Sequence, residues 1–191
     1  GKLYLCSYPE ARLSIYDPTK PLRFGDDEEA NPRDLGPLGG EQDRPRAMVA
    51  GPHGRIYIGS TPDYGLLGGA ISVFDPKTKE KRVYRHIIPN QSVASLAYIE
   101  KSDLLAAGSS IRGGGGTRPS EKWAKLILWD PQEEKKIFEM IPVLEAKTIL
   151  ALAATKEGNL YGITDNEKLF IFDVEKRITR KVIDLEFKEP R

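Results

Sequence analysis

The 191 residues carry 29 lysines and arginines against 28 aspartates and glutamates, a formal charge of +1. That balance argues against a nucleic-acid partner held by bulk positive charge, and no apolar run approaches the ~18 residues that a membrane-spanning helix needs. Cys6 is the sole cysteine and His53 and His86 the two histidines, which excludes an internal disulfide and any metal centre built on several Cys or His ligands.

In chain order, Gly1 stands without an initiator Met and reads as a residue left by tag removal. The following residues run directly into a strand, so the opening carries no leader signal and leaves the compartment undefined. Residues 2–7 and 13–16 are rich in β-branched, aromatic and leucine side chains and read as two strands of a first unit ending near residue 24. A second unit follows with strands at 46–51, 55–60, 71–74 and 81–87. The third has strands at 92–99, 104–109, 126–129 and 135–141, and the fourth at 148–154, 159–164, 170–172 and 178–185. Short polar turns such as Pro52-His53-Gly54 and Lys101-Ser102-Asp103 separate them. No segment reads as a helix.

The units are repeats. Each third strand closes on an aromatic residue and an aspartate: Tyr16-Asp17, Phe74-Asp75, Trp129-Asp130 and Phe172-Asp173, spaced by 58, 55 and 43 residues. Four antiparallel strands recurring every ~40–50 residues are the signature of β-propeller blades, and the pattern predicts an all-β propeller. The side-chain sizes agree. The first two strands of a unit hold small residues (Ala50, Gly51, Ala94, Ala106, Ala107, Gly108, Ala151), and the third holds Phe74, Trp129 and Phe172. Blades converge at the axis and diverge outward, so this gradient fits their taper. The whole of 1–191 reads as one propeller domain, with blades near 2–24, 46–88, 92–142 and 148–186. The first lacks an inner strand. The arc is therefore part of a seven- or eight-bladed ring, half of a ring completed by a second copy, or a four-bladed form; the first is expected for the native protein, with homodimeric association of this chain through its open blade edges.

The run Phe74-Asp75-Pro76-Lys77-Thr78-Lys79-Glu80-Lys81 resembles the third strand and turn of YVTN-type and quinoprotein-like propellers, with Lys79 where glycine is usual. Trp129-Asp130 is similar to the dipeptide of WD40 repeats, although no Gly-His pair precedes it at the usual distance. The resemblance implies a propeller and no particular activity.

The repeated aspartates invite a reading as catalytic carboxylates, but a residue that recurs once per unit beside a polar turn is better explained as the acceptor that starts the turn. Three long segments, 25–45, 61–69 and 110–123, are expected on one face of the propeller, where a rigid scaffold presents binding loops. Aligning the ends of the second strands puts Glu10, Asp63, Arg112 and Glu167 at one position, from which they would ring the mouth of a central channel. The loop from Arg112 to Trp123 contains four glycines, Arg118 and Lys122; guanidinium forks suit carboxylates and phosphates, and an indole stacks on a sugar. Its rival reading is a flexible insertion. The binding reading gives Arg112, Arg118 and Lys122 the role of neutralising charge, Tyr64 and Trp123 that of stacking, and Glu10 and Asp63 that of accepting hydroxyl hydrogen bonds. The expected partner is an anionic small molecule, a carbohydrate or a protein segment, with no cofactor or metal. No catalytic residue can be named, and the alternatives are a fragment of a sugar lyase or hydrolase or a protein-interaction scaffold.

Overall fold

The computed structural model describes residues 1–186. Its fifteen strands form four antiparallel sheets joined in sequence. The first sheet has three strands, β1 (Leu3–Ser7), β2 (Arg12–Tyr16) and β3 (Arg33–Pro37). The second is β4 (Gln42–Ala50), β5 (Ile56–Pro62), β6 (Ala70–Phe74) and β7 (Lys81–Arg85). The third is β8 (Ser92–Ile99), β9 (Leu104–Ser110), β10 (Leu126–Asp130) and β11 (Lys135–Met140). The fourth is β12 (Ile149–Ala154), β13 (Asn159–Thr164), β14 (Lys168–Asp173) and β15 (Ile178–Asp184). Pro52–Gly54 and Glu100–Ser102 are single 3-10 turns between the first two strands of their sheets.

Each hydrophobic core lies between successive sheets. Leu13, Ile58 and Phe74 bury the contact of sheets one and two, Tyr57, Ile71, Leu105 and Trp129 that of two and three, and Leu126, Leu128, Phe170 and Phe172 that of three and four. Covered on both faces, β5 and β6 are buried at every residue, whereas β13 alternates because, among the described residues, only one of its faces has a neighbour. The small residues of the inner strands permit close approach near the common centre. A Cβ on Gly59 would lie 2.6 Å from Val93, and one on Gly108 would lie 2.7 Å from Ile149. The aromatic that precedes each turn aspartate is the wedge between sheets: Phe74 meets Tyr4, Trp129 meets Tyr84 and Phe172 meets Phe138, with ring centroids 6.0, 4.9 and 5.9 Å apart.

The region 25–45 departs from expectation. It is not one long connection but contains β3, the third strand of sheet one, and the start of β4. Gly36-Pro37 and Pro45 break the strand pattern in the sequence, while the anchoring of this region comes from Leu38, buried in the core with sheet two, and from Leu35 packed beside it. The long connection of sheet one is therefore 17–32, between β2 and β3, and it emerges on the face opposite the loops 63–69 and 111–125.

Candidate functional site

The two remaining long loops are built on each other. Gly65 N–H donates to the Gly115 carbonyl and Gly114 N–H to the Leu66 carbonyl, both at 2.9 Å, so loop 63–69 of sheet two is laced to loop 111–125 of sheet three. The glycine run serves this contact. A Cβ on Gly114 would lie 1.8 Å from the Asp63 carbonyl oxygen, and one on Gly115 would lie 2.6 Å from the Tyr64 ring. Thr117 closes the turn, its hydroxyl donating to the Gly114 carbonyl at 2.6 Å. The segment is thus a structured loop rather than a flexible insertion.

The candidate side chains divide into groups. Tyr64 projects outward, and the Arg44 guanidinium lies 4.9 Å from its ring centroid and 5.2 Å from that of Tyr8, donating to the Tyr64 hydroxyl at 2.5 Å. The Tyr8 hydroxyl is pushed above its ordinary range, first by its hydrogen bond with Tyr64. Trp123 is half-buried under the Lys122 ammonium, which stands 4.5 Å from the ring centroid, and its carbonyl accepts from Gln91 Nε2 at 3.0 Å. Glu10 is engaged by Arg12, with Oε2 at 2.9 Å from Nη1. Asp63 holds the loop through its backbone, its N–H donating to the Glu41 carbonyl at 2.9 Å. Arg118 is exposed on the glycine loop.

Arg112 lies elsewhere. With Arg46 it lines a cavity of about 350 Å³ at the inner ends of the sheets, whose walls also include Thr61, Ser92, Ser110 and Thr148. The backbone of Arg112 is fixed by Ser92, whose hydroxyl donates to its carbonyl at 2.6 Å, and by Ser110, whose hydroxyl accepts its N–H at 3.3 Å. Arg46 Nε donates to Thr61 Oγ1 at 3.1 Å. Among the described residues the ion-paired arginines are others, such as Arg12, Arg55, Arg82 and Arg180, and no carboxylate neutralises Arg46 or Arg112. Of the four positions expected to ring the mouth, only Arg112 lines this cavity.

No family model matches the sequence, and no curated protein matches it. Solved structures do. The WD40 repeats of RRP9 match with a TM-score of 0.59 at 15% identity over 77% of this chain and 40% of that one. Saccharomyces cerevisiae Sqt1 matches with a TM-score of 0.66 at 13% identity over 96% and 45%. A chain of the Mitotic Checkpoint Complex matches with a TM-score of 0.68 at 11% identity over 96% and 48%. The sheets are β-propeller blades. The chain spans less than half the length of the propellers it matches, and at these identities the likeness establishes the fold alone.

Within the propeller, the repeated aspartates start turns. Asp17 Oδ1 accepts Thr19 N–H at 3.0 Å, Asp75 Oδ1 accepts Lys77 N–H at 2.9 Å, Asp130 Oδ1 accepts Gln132 N–H at 2.8 Å, and Asp173 Oδ1 accepts Lys176 N–H at 3.0 Å. These bonds favour the charged form. Asp17, chiefly through the Thr19 hydroxyl, and Asp75 and Asp173, chiefly through backbone N–H groups, are held below the ordinary carboxylate range. The same turns require left-handed backbone at Lys79 (φ +64°), Glu134 (+49°) and Arg177 (+56°), which is why glycine is the usual residue at the Lys79 position of such repeats.

The hydroxyls that end the second strands are structural. Ser60 Oγ donates to Gln42 Oε1 at 2.7 Å, and Ser109 pairs with Gln91 in the same manner, tying β5 to the start of β4 and β9 to the residue that precedes β8. Neither glutamine stands out along the chain, and neither do the lining residues Arg46, Thr61, Ser92 and Thr148. The usable signal is positional: Gln42 and Ser92 open an inner strand, Gln91 and Thr148 lie one residue before a strand opening, and Thr61 follows Ser60, while Arg46 lies within β4. His53 sits in the first turn of blade two, 3.0 Å from Gln132 Nε2, and His86 packs against Gly68 at the end of β7. No group of three or more His, Cys, Asp or Glu side chains among the described residues is arranged to hold a metal.

Proposed function

We propose that this chain is an interaction module whose loop-bearing face receives an acidic protein segment, with carboxylates seated between Arg46 and Arg112 at the channel mouth. The observation that carries this reading is the 350 Å³ cavity lined by two arginines that no described carboxylate neutralises. Guanidinium forks offer paired donors to a carboxylate, and a concave wall strengthens the attraction over that of an open surface. Thr61, Ser92 and Thr148 add hydroxyls on the same wall, while Arg118 and Lys122 extend positive charge along the adjoining loop. A sugar-stacking role is less well supported, because Arg44 already stacks on the exposed Tyr64 ring and Lys122 on Trp123.

The test is fluorescence anisotropy with a labelled polyglutamate peptide, using polylysine as control. Wild type should bind polyglutamate alone and lose affinity as salt shortens the range of the field. The Arg46→Ala/Arg112→Ala double variant should bind at least ~10-fold more weakly. Equal affinity in both proteins, or no polyglutamate binding by wild type, removes the reading.

A further inference from the structure

The two ends of the blade arc carry complementary halves of the contact that joins successive blades inside the chain. In blade two, the face turned to blade three aligns Val49, Tyr57 and Val73 across the strands in one row, and Ala47, Gly59, Ile71 and Tyr84 in the next. In blade four, the face with no neighbour among the described residues aligns Ala153, Tyr161 and Ile171, then Ala151, Ile163, Leu169 and Ile183, at the same register positions. The chemistry is the same, yet Tyr57 is 1% exposed while Tyr161 is only partly buried.

The opposite end matches. The face of blade two that packs back on blade one presents Ile56 beside Phe74 and Ile58 beside Ser72. The open face of blade one presents Leu3 beside Tyr16 and Leu5 beside Ser14 at the equivalent positions. Tyr16 is thus the fourth member of the wedge series. Phe74, Trp129 and Phe172 are at most 3% exposed against the preceding blade, whereas no blade among the described residues packs on Tyr16, and Leu3 and Leu5 are 56% and 47% exposed.

We propose that two copies of this chain close head to tail into one ring, the open face of blade four in each packing on the open face of blade one in the other. Tyr161 of one copy would then meet Tyr16 of its partner as Tyr4 meets Phe74 within the chain. A second copy fits the occupancy for two reasons. Both halves of the required interface are present on the same molecule, and each end has the residue types that the other end's equivalent meets inside the chain. A contact of this kind joins different faces and stays finite only when the rotation closes; two half-rings about a shared axis meet that condition. The proposal is independent of the acidic-segment reading, since none of these residues lines the arginine cavity.

The experiment is light scattering after size exclusion, with sedimentation velocity. Wild type should show about twice the 21.3 kDa of one chain. Leu5→Lys, which spoils blade one, and Ile171→Asp, which spoils blade four, should each raise the dimer dissociation constant at least ~100-fold, because each buries an unpaired charge at both contacts of the ring. An equimolar mixture of the two variants should recover the dimer, since one of its contacts is wild type and the other opposes Lys to Asp. A monomeric wild type at high concentration overturns the proposal, as does a dimer that Leu5→Lys or Ile171→Asp leaves intact. Circular dichroism verifies folding. Should either variant fail to fold, hydrogen exchange of wild type decides: protection at 3–16 and 161–171 must rise together with protein concentration, and concentration-independent exchange refutes the ring.

Discussion

Phe172→Ala tests the wedge that holds the blades together. Phe172 is fully buried between blades three and four, 5.9 Å from the Phe138 ring centroid, in the core shared with Leu126, Leu128 and Phe170. Its transfer from water contributes up to about 3 kcal/mol. Removing the ring also leaves a cavity that the flanking strands fill only in part, which brings the expected loss to about 3–5 kcal/mol. Against a total of about 5–15 kcal/mol, that is a large share of the folding free energy. With a urea dependence of ~2–3 kcal/mol per molar, the midpoint should fall by ~1–2 M. Because blade four is held to the rest chiefly through this core, hydrogen exchange should show β12 to β15 losing protection before β4 to β7. Phe24→Ala removes the same ring from a site 78% exposed and should move the midpoint very little. Comparable losses from the two variants, or a loss below ~1 kcal/mol for Phe172→Ala, would refute the assignment of the repeated aromatic as the inter-blade wedge.

The laced loops and the buried phenols supply two further predictions. Gly114→Ala places a methyl against the Asp63 carbonyl and should break the Gly114–Leu66 and Gly65–Gly115 hydrogen bonds, raising exchange across 63–69 and 111–123 while β5 and β9 stay protected; unchanged exchange would show that the glycines are not required for lacing. Tyr98 is pushed up to about 12, first by its hydrogen bond to Asp103 Oδ1 at 2.6 Å, and Tyr84 to about 12, first by burial. The unfolded chain releases these protons near pH 10, so the stability that they supply is complete below pH ~10 and lost as pH rises toward 12. Thermal midpoints should decline over that window, and ultraviolet titration of the folded protein should show Tyr84 and Tyr98 ionising last among the eight tyrosines; ionisation of all eight near pH 10 in the folded protein would contradict it.

The blade pattern was legible because it is local. Strand alternation, turn residues and the aromatic-aspartate pair recur within each unit, and they mark elements whose hydrogen bonds run mostly to sequence neighbours. β3 was missed because its anchors are few, with Gly36 and Pro37 inside it, and its pairing is set by Leu38 packing on another blade. That one shift moved a long connection to the opposite face. The candidate site was legible in its chemistry and not in its grouping. Arg112, Tyr64 and Trp123 stand out by residue type, but nothing along the chain tells that Tyr64 is taken up by Arg44 while Arg112 faces a cavity with Arg46, 66 residues away.

The sequence by itself determined the repeating unit, its turn chemistry and the taper from small inner to large outer side chains, because each follows from neighbours within a few tens of residues. Only the tertiary structure decided which long loops share a face, which charged groups already have partners and which blade faces are left open. Those properties depend on distances between segments far apart in the chain, and they exist only once the blades have packed.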